Sequence, residues 1–228
     1  MADRLQEALL ELQVRFGDAA PRPVGSPAQS HPSGVPEIDD LVGIGGWPAG
    51  RLSLLSGSQG SGKRTLALRS VAAASREAPV AYVDARSRLD PQFLAGCGGV
   101  LDRLLVVRPR TLAEGLESAG VLSRAGVDLV CLDLGPEAGP ALDAGLPLLL
   151  HRAAESGCTV LLMDGVEPED AVRYYASVIV RLERRGWVFS SAGDLRGIEV
   201  EAVVVKNRLA PPGRSMRWLL EYPKAAAG

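Results

Sequence analysis

The sequence lacks several features that would assign the chain to a common class of protein. Its formal net charge is only −2 over 228 residues, so it has no general excess of basic side chains for binding nucleic acid. Its two histidines, His31 and His151, are far apart, which argues against a zinc site and against histidine-based catalysis. No apolar run approaches the length of a membrane span, and the N-terminus is amphipathic and acidic rather than a signal segment. We therefore expect a cytoplasmic protein with no membrane partner and no metal ligands.

Cysteine is also scarce. Cys97, Cys131 and Cys158 lie among apolar residues, and their odd number argues against a disulfide framework. We expect all three to be reduced residues of the core. Apolar residues make up 46% of the chain and charged residues 23%, which is ordinary for a globular protein, and the length suits one sizeable domain with a small appendage.

The most informative stretch is residues 51–70, RLSLLSGSQGSGKRTLALRS. It predicts a buried strand, a glycine-rich loop and a helix that opens at Lys63, which is the context in which Gly-x-x-x-x-Gly-Lys spacing binds phosphate. Gly57, Gly60 and Gly62 allow backbone N–H groups to converge on a phosphate, and the helix N-terminus adds partial positive charge. Lys63 would reach the terminal phosphates.

The residue after this lysine does not fit the motif. A serine or threonine is expected there, because its hydroxyl holds Mg²⁺, but the residue is Arg64. Thr65 cannot simply replace it, since one step along a helix rotates a side chain by roughly 100°. The loop is therefore predicted to hold an anion without a well-held Mg²⁺.

Short leucine-rich and β-branched runs alternate with helical patterns along the middle of the chain. This alternation predicts a parallel sheet with helices on both faces. The predicted strands are 52–55, 80–84, 103–107, 129–134 and 159–163, and the predicted helices begin at 63 and cover 91–95, 112–124 and 141–155. After residue 175 the pattern changes to strands at 177–183, 199–206 and 216–221, with turns at 193–194 and 211–213, which predicts an antiparallel extension.

Three regions are predicted. Residues 1–16 form a short amphipathic helix with Leu5, Leu9, Leu12 and Phe16 on one stripe. Residues 17–34 form a linker rich in proline, serine and glycine, and residues 35–228 form the core domain. A helix this short needs a partner surface, and two remain open: its own domain or a neighbouring subunit, with self-association in the second case.

Several segments, taken in order, resemble the RecA recombinase family. LQVRFGD is similar to the close of the family's N-terminal docking helix, and SGVPEIDDLVGIGGWPAGRLSLLSG to its approach to the phosphate loop. VAYVDARSRLDPQFL resembles the strand and turn that contact adenine, and VDLVCLDL the second nucleotide motif. YYASVIVRLERRG and VEAVVVKNRLAPPGR resemble its antiparallel strands. The resemblance implies an α/β fold with a RecA-like P-loop NTPase core: a mostly parallel sheet flanked by helices, with an antiparallel C-terminal extension.

Three positions depart from the family's pattern. Arg64 stands at the Mg²⁺-ligand position, and Arg86 stands where the family has a glutamate that orients the attacking water. Met163-Asp164-Gly165 replaces a glutamine that senses the γ-phosphate. A guanidinium is not a base at physiological pH, and a carboxylate near a phosphate repels it. These departures predict a degenerate ATPase site with no catalytic residues, and hence a chain that is not an enzyme.

Other parts of the family's nucleotide site persist. Asp133 matches the acidic residue of the second motif, and Asp90 and Phe93 match positions that contact adenine. Lys206 and Arg208 match basic residues that reach a neighbouring subunit's nucleotide, although a solvated pair is the alternative. The resemblance thus implies a loop that accepts ATP, ADP or a phosphate-like anion, with no cofactor required. The cofactor-binding residues implied are Gly57, Gly60, Gly62, Lys63, Arg64, Thr65, Asp90, Phe93, Asp133, Lys206 and Arg208.

The two DNA-binding loops of the family are poorly matched. The region after Asp133 is short and lacks basic residues, and DGVEPEDAVRYY carries acidic residues in place of the second loop. Since phosphate neutralisation provides most nonspecific affinity, we expect weak DNA binding at most. A local basic set would contact DNA or an acidic partner, or would form a solvated surface. Its members are Arg181, Arg184, Arg185, Arg214 and Arg217.

The small size and the degenerate site most resemble the ImuA-type accessory proteins of bacterial DNA-damage mutagenesis. That resemblance implies a non-catalytic protein of the SOS response and translesion synthesis, whose partners are RecA and an inactive Y-family polymerase-like protein. The alternative is an active DNA-dependent ATPase in homologous recombination and repair. A third interpretation is a regulatory module that binds nucleotide as a structural ligand.

Overall fold

The computed structural model describes residues 2–16, 29–134, 139–163 and 170–222. Its helices are α1 (Ala2–Phe16), α2 (Pro36–Val42), α3 (Lys63–Ser75), α4 (Pro91–Gly96), α5 (Leu112–Arg124), α6 (Gly139–Ser156) and α7 (Asp170–Tyr175). Its strands are β1 (Ser30–His31), β2 (Trp47–Pro48), β3 (Leu52–Ser56), β4 (Val80–Asp84), β5 (Leu104–Val107), β6 (Leu129–Asp133), β7 (Thr159–Met163), β8 (Val178–Phe189), β9 (Leu195–Asn207) and β10 (Ser215–Glu221).

An eight-stranded sheet in the order β10-β9-β8-β3-β7-β6-β4-β5 organises the fold. The strands from β8 to β5 run parallel, and β9 and β10 are antiparallel to their neighbours. β1 and β2 form a separate small pair. The predicted fold class, a mostly parallel sheet with an antiparallel C-terminal extension, is confirmed.

Helices cover both faces of the sheet. On one face, Ile38 of α2 and Leu66 of α3 pack in a core with Val200 of β9. On the other face, Leu116 of α5 and Leu146 of α6 pack in a second core. Every residue of β3, β4, β6 and β7 is buried, which explains why these strands are near-continuous apolar runs in the sequence.

The antiparallel strands are longer than the sequence predicts. β8 extends to Phe189 and β9 begins at Leu195, well beyond the predicted limits of 183 and 199. Their outer halves carry mostly exposed side chains, so no apolar run marks them. Helices α2 and α7 are absent from the sequence-based prediction because they have only 7 and 6 residues, too few to show an apolar periodicity.

The end of the predicted linker lies within the fold. Ser30 and His31 pair with β2, and Ser33 is fully buried. Residues 17–28 lie outside the described part of the chain, so the division into helix, linker and core stays a prediction.

Helix α1 carries two exposed apolar side chains: Leu10 is 64% exposed and Val14 is 88% exposed. Among the described helices, none is long and apolar enough to cross a membrane.

The three cysteines are free thiols, as expected. Cys131 and Cys158 are buried and Cys97 is half-buried. Burial raises the pKa of the Cys158 thiol to about 12, and it also raises the pKa of Cys131. These two thiols therefore stay protonated at physiological pH and behave as small apolar side chains.

Candidate functional site

The glycine-rich loop between β3 and α3 has a backbone that only glycine accommodates easily. Gly57, Gly60 and Gly62 have φ values of 146°, 78° and 94°, a region that disfavours residues with a Cβ. A Cβ at Gly57 would lie 2.3 Å from the carbonyl oxygen of Leu182 in β8. The loop is therefore packed directly against the neighbouring strand, and its shape requires glycine.

A cleft of about 750 Å³ lies over this loop. It brings together nine of the eleven residues that the sequence implicates in nucleotide binding. These nine are Gly57, Gly60, Gly62, Lys63, Arg64, Thr65, Asp90, Phe93 and Asp133. Arg86, the residue at the position of the water-orienting glutamate, also lines the cleft.

Lys63 folds back over the loop. Its Nζ donates to the carbonyl oxygen of Gly57 and, at 2.9 Å, to that of Ser58. The ammonium group thus lies within the loop, at the N-terminus of α3, where a phosphate would gain both its charge and the helix dipole.

Arg64 lies against Asp133 at the end of β6. Its Nε and Nη2 donate to Asp133 Oδ2 at 3.2 and 3.1 Å, and the hydroxyl of Tyr82 donates to the same oxygen at 3.2 Å. Burial, followed by the nearby Cys131 and Asp133, raises the pKa of Tyr82, so the phenol remains a neutral donor. Arg64 and Asp133, which are 69 positions apart in the sequence, thus form an ion pair.

The residues at this place do not fit a magnesium ion. The position after the loop lysine offers a guanidinium instead of a hydroxyl ligand, and the carboxylate that would face the metal is already bound to that guanidinium. A cation at Asp133 Oδ2 would lie next to the positive charge of Arg64. These two side chains therefore supply no set of ligands for Mg²⁺.

The turn after β4 presents two arginines to the cleft. Asp84, fully buried, accepts hydrogen bonds from the backbone N–H groups of Arg88 and Leu89 at 2.8 and 3.1 Å. This fixes the turn that carries Arg86 and Arg88, both of which line the cleft. The guanidinium group of arginine has hydrogen-bond donors and no acceptor, so the turn supplies positive charge and donors to the cleft.

Asp90 and Phe93 line the cleft, and Asp90 is also the N-cap residue of α4. Its Oδ1 accepts a hydrogen bond from the backbone N–H of Phe93 at 3.0 Å and so caps the N-terminus of α4. The cap holds the Phe93 side chain, half-buried, at the cleft wall. Contact of these residues with an adenine base stays a prediction.

Lys206 and Arg208 do not line the cleft of their own chain. Lys206 Nζ donates to the carbonyl oxygens of Arg173 and Tyr174 at 2.6 and 3.1 Å, and Arg208 Nη2 donates to that of Tyr174 at 2.6 Å. Burial, and then the charge of Arg208, lowers the pKa of Lys206. The pair stabilises the C-terminal end of α7; a reach toward a neighbouring subunit's nucleotide stays a prediction.

Three residues that line the cleft were not predicted from the sequence. Trp187, Ile198 and Tyr222 of the antiparallel extension line it. The guanidinium of Arg184 lies 4.4 Å from the ring centroid of Trp187, and its Nη1 would be 3.1 Å from a Cβ at Gly60. The signal in the sequence was weak, since Trp187 lies beyond the apolar run of β8.

Two arginines of the basic set predicted from the sequence form ion pairs with glutamates. Arg185 forms ion pairs with Glu183, at 2.7 Å, and with Glu201, and Arg217 lies 3.7 Å from Glu201. Arg184 faces the glycine-rich loop.

The acidic segment predicted to replace the second DNA loop covers residues 164–175. Its first part, which includes Asp164 at the γ-phosphate-sensing position, lies outside the described residues. Its last part forms α7, which begins at Asp170.

Trp187 should report on occupation of the cleft. It is 50% exposed, whereas Trp47 is fully buried and Trp218 is 8% exposed. We expect ATP or ADP to change the intrinsic tryptophan fluorescence of the wild-type chain. Trp187→Phe should remove this signal, and the control Trp218→Phe should keep it. An unchanged signal in Trp187→Phe would show that the fluorescence change arises elsewhere.

Known proteins share sequence and fold with this chain. Residues 3–140 match the model of the RecA N-terminal domain. The RecA proteins of Francisella philomiragia subsp. philomiragia and of Francisella tularensis subsp. novicida are each 31% identical, over 96% of this chain and 71% of theirs. The crystal structure of the RadB recombinase superposes with a TM-score of 0.68 and 22% identity, over 83% of this chain and 95% of that one, which supports the fold.

These sequence matches correct one prediction. The arginines at positions 64 and 86, together with the replacement at 163–165, led to the prediction that the chain is not an enzyme. That prediction is wrong, because the family indicated by both the domain match and the RecA relatives is one of recombinases, which points to enzyme activity. The domain match spans more than half of the chain, and the relatives match it almost end to end. The chain therefore belongs to the RecA family.

Proposed function

We propose that this protein binds ATP in the cleft over the glycine-rich loop and hydrolyses it in a DNA-dependent manner during homologous recombination and repair. The observation that carries the proposal is the placement of Lys63 at the N-terminus of α3, within a loop whose glycines have positive φ. Family membership supports the same proposal.

The charges of the cleft favour an anionic ligand. Four cationic side chains line it, whereas two acidic side chains do so, and one of these, Asp133, is paired with Arg64. A triphosphate would bring negative charge to the positive residues, in a partly enclosed space that strengthens the attraction. The cationic residues are Lys63, Arg64, Arg86 and Arg88.

The direct test is release of inorganic phosphate from ATP by the purified full chain, with and without single-stranded DNA. We expect release above the protein-free blank, and a faster rate with DNA. Release that is the same with and without DNA would contradict the DNA-dependent part. Nucleotide binding without any release would contradict the enzymatic part and would favour nucleotide as a structural ligand.

A finer proposal concerns partners. We infer that the protein works beside RecA and an inactive Y-family polymerase-like protein in the DNA-damage response, as ImuA-type proteins do by resemblance. The exposed apolar side chains of α1, Leu10 and Val14, support a docking role for this helix. We also propose that α1 can mediate self-association and that the chain alone binds DNA weakly.

Co-purification with RecA and with the polymerase-like protein, using chains with and without residues 1–16, tests the finer proposal. We expect the shortened chain to lose most of its binding. Unchanged binding after the deletion would show that α1 is not the main docking element. A tight DNA-binding isotherm with a steep salt dependence at physiological ionic strength would contradict weak DNA binding.

A further inference from the structure

Arg64 occupies a position that ordinarily serves a metal ion. It directly follows Lys63 in the first turn of α3, where loops of this kind place a hydroxyl group on Mg²⁺. The carboxylate of Asp133, at the end of β6, lies opposite this position, and both residues line the cleft. The pair therefore lies where a metal-dependent site would hold its cation.

The geometry anchors the guanidinium without using all of its donors. Nε and Nη2 each donate to Asp133 Oδ2, and this accounts for two of the five N–H groups of an arginine. The Arg64 side chain is 38% exposed, whereas that of Asp133 is 8% exposed. One side of the guanidinium is thus fixed on a buried carboxylate, and the other faces the cleft.

The carboxylate of Asp133, which holds Arg64, is itself held by a hydrogen bond. The hydroxyl of the fully buried Tyr82 donates to the same oxygen of Asp133. Mg²⁺ would have to coordinate an oxygen at about 2.0–2.1 Å, and the guanidinium already lies 3.1 Å from that oxygen. Displacing the arginine would break a partly buried ion pair, and such a loss is costly when one charge is left unpaired.

We propose that Arg64 takes the place of the divalent cation, so that this chain binds nucleoside triphosphates independently of Mg²⁺. This inference rests on the proposed nucleotide-binding function and specifies the cation that serves it. The guanidinium supplies one fixed positive charge and hydrogen-bond donors toward the β- and γ-phosphates. Asp133 and Tyr82 act as positioning residues, because they hold Arg64 in place.

The test is a fluorescence titration with a mant-labelled ATP, carried out once with excess MgCl₂ and once with excess EDTA. For the wild-type chain we expect the two dissociation constants to agree within about threefold, since each tenfold difference would require about 1.4 kcal/mol from the metal. Arg64→Thr restores the hydroxyl and frees Asp133. This variant should bind at least about tenfold more tightly with Mg²⁺ than with EDTA.

The possible outcomes separate the two proposals. Wild-type binding that weakens more than about threefold in EDTA overturns the Arg64 inference and leaves nucleotide binding intact. Absence of binding in both buffers overturns nucleotide binding and the inference together. If Arg64→Thr does not fold, paramagnetic resonance of Mn²⁺ with the wild-type chain and ATP decides: a protein-held Mn²⁺ signal contradicts the inference, and a signal that matches free Mn²⁺–ATP supports it.

Discussion

Replacement of Lys63 by alanine is expected to weaken ATP binding by roughly 10- to 100-fold. A charge-assisted hydrogen bond contributes about 1.5–3 kcal/mol, and each 1.4 kcal/mol corresponds to a tenfold change in affinity. In the structure the Lys63 ammonium lies against the loop carbonyls of Gly57 and Ser58, close to where a phosphate would bind. Titration with mant-ATP measures the loss, and phosphate release should fall to the protein-free blank.

A matched control removes a positive charge elsewhere. Arg110 is 88% exposed, lies outside the cleft and pairs only locally with Glu114. Arg110→Ala therefore changes the net charge as Lys63→Ala does, and it should leave ATP affinity unchanged within about twofold, since a screened surface charge contributes little. Equal affinities for the wild-type chain and Lys63→Ala would mean that the loop does not hold the phosphates.

Gly57→Ala is expected to destabilise the fold by about 3 kcal/mol or more. Alanine would have to adopt the φ of 146°, and its Cβ would lie 2.3 Å from the backbone carbonyl oxygen of Leu182. Backbone strain of this kind costs of order 1–3 kcal/mol, and forcing an extra methyl group into a packed contact costs a similar amount. Urea denaturation, followed by circular dichroism, measures the change in the free energy of unfolding.

Gly126→Ala separates the two causes. Gly126 also has a positive φ, 91°, but a Cβ there would meet no atom within 4 Å. This variant should lose only about 1–2 kcal/mol, from backbone strain alone. Similar losses for the two variants would show that the overlap with β8 is relieved by local movement. Insoluble Gly57→Ala beside soluble Gly126→Ala would agree with the prediction.

The central elements could be predicted from sequence because the physics that forms them is local. β4, α5 and β7 begin and end at the predicted residues, since their apolar runs are bounded by turn residues or by a helix cap. The outer halves of β8 and β9 could not be predicted, because they are formed by pairing with each other and carry mostly exposed side chains. The glycine-rich loop was predictable from its spacing alone.

The chemistry of the site was predictable only in part. The sequence identified Arg64 and Asp133 separately, and both follow from motifs. Their ion pair depends on the sheet, in which β3 and β6 run parallel and are separated only by β7. The contact of Arg184 with Trp187 and with the loop at Gly60 depends on the length of β8. The prediction that the chain is not an enzyme was wrong because it gave three local departures from the family's pattern more weight than the resemblance along the chain.

The continuity of β8 has a mechanical consequence for the cleft. This strand pairs with β3 up to Ser56, directly before the glycine-rich loop, and then continues past a register shift between Arg184 and Gly186 to the cleft residue Trp187. The base of the glycine-rich loop and the cleft wall at Trp187 are therefore tied to one strand, and the register shift between them is the point at which that strand bends. Since Asp84 holds the turn that carries Arg86 and Arg88, a bulky ligand would enter or leave the cleft by movement of these two long side chains rather than of their backbone.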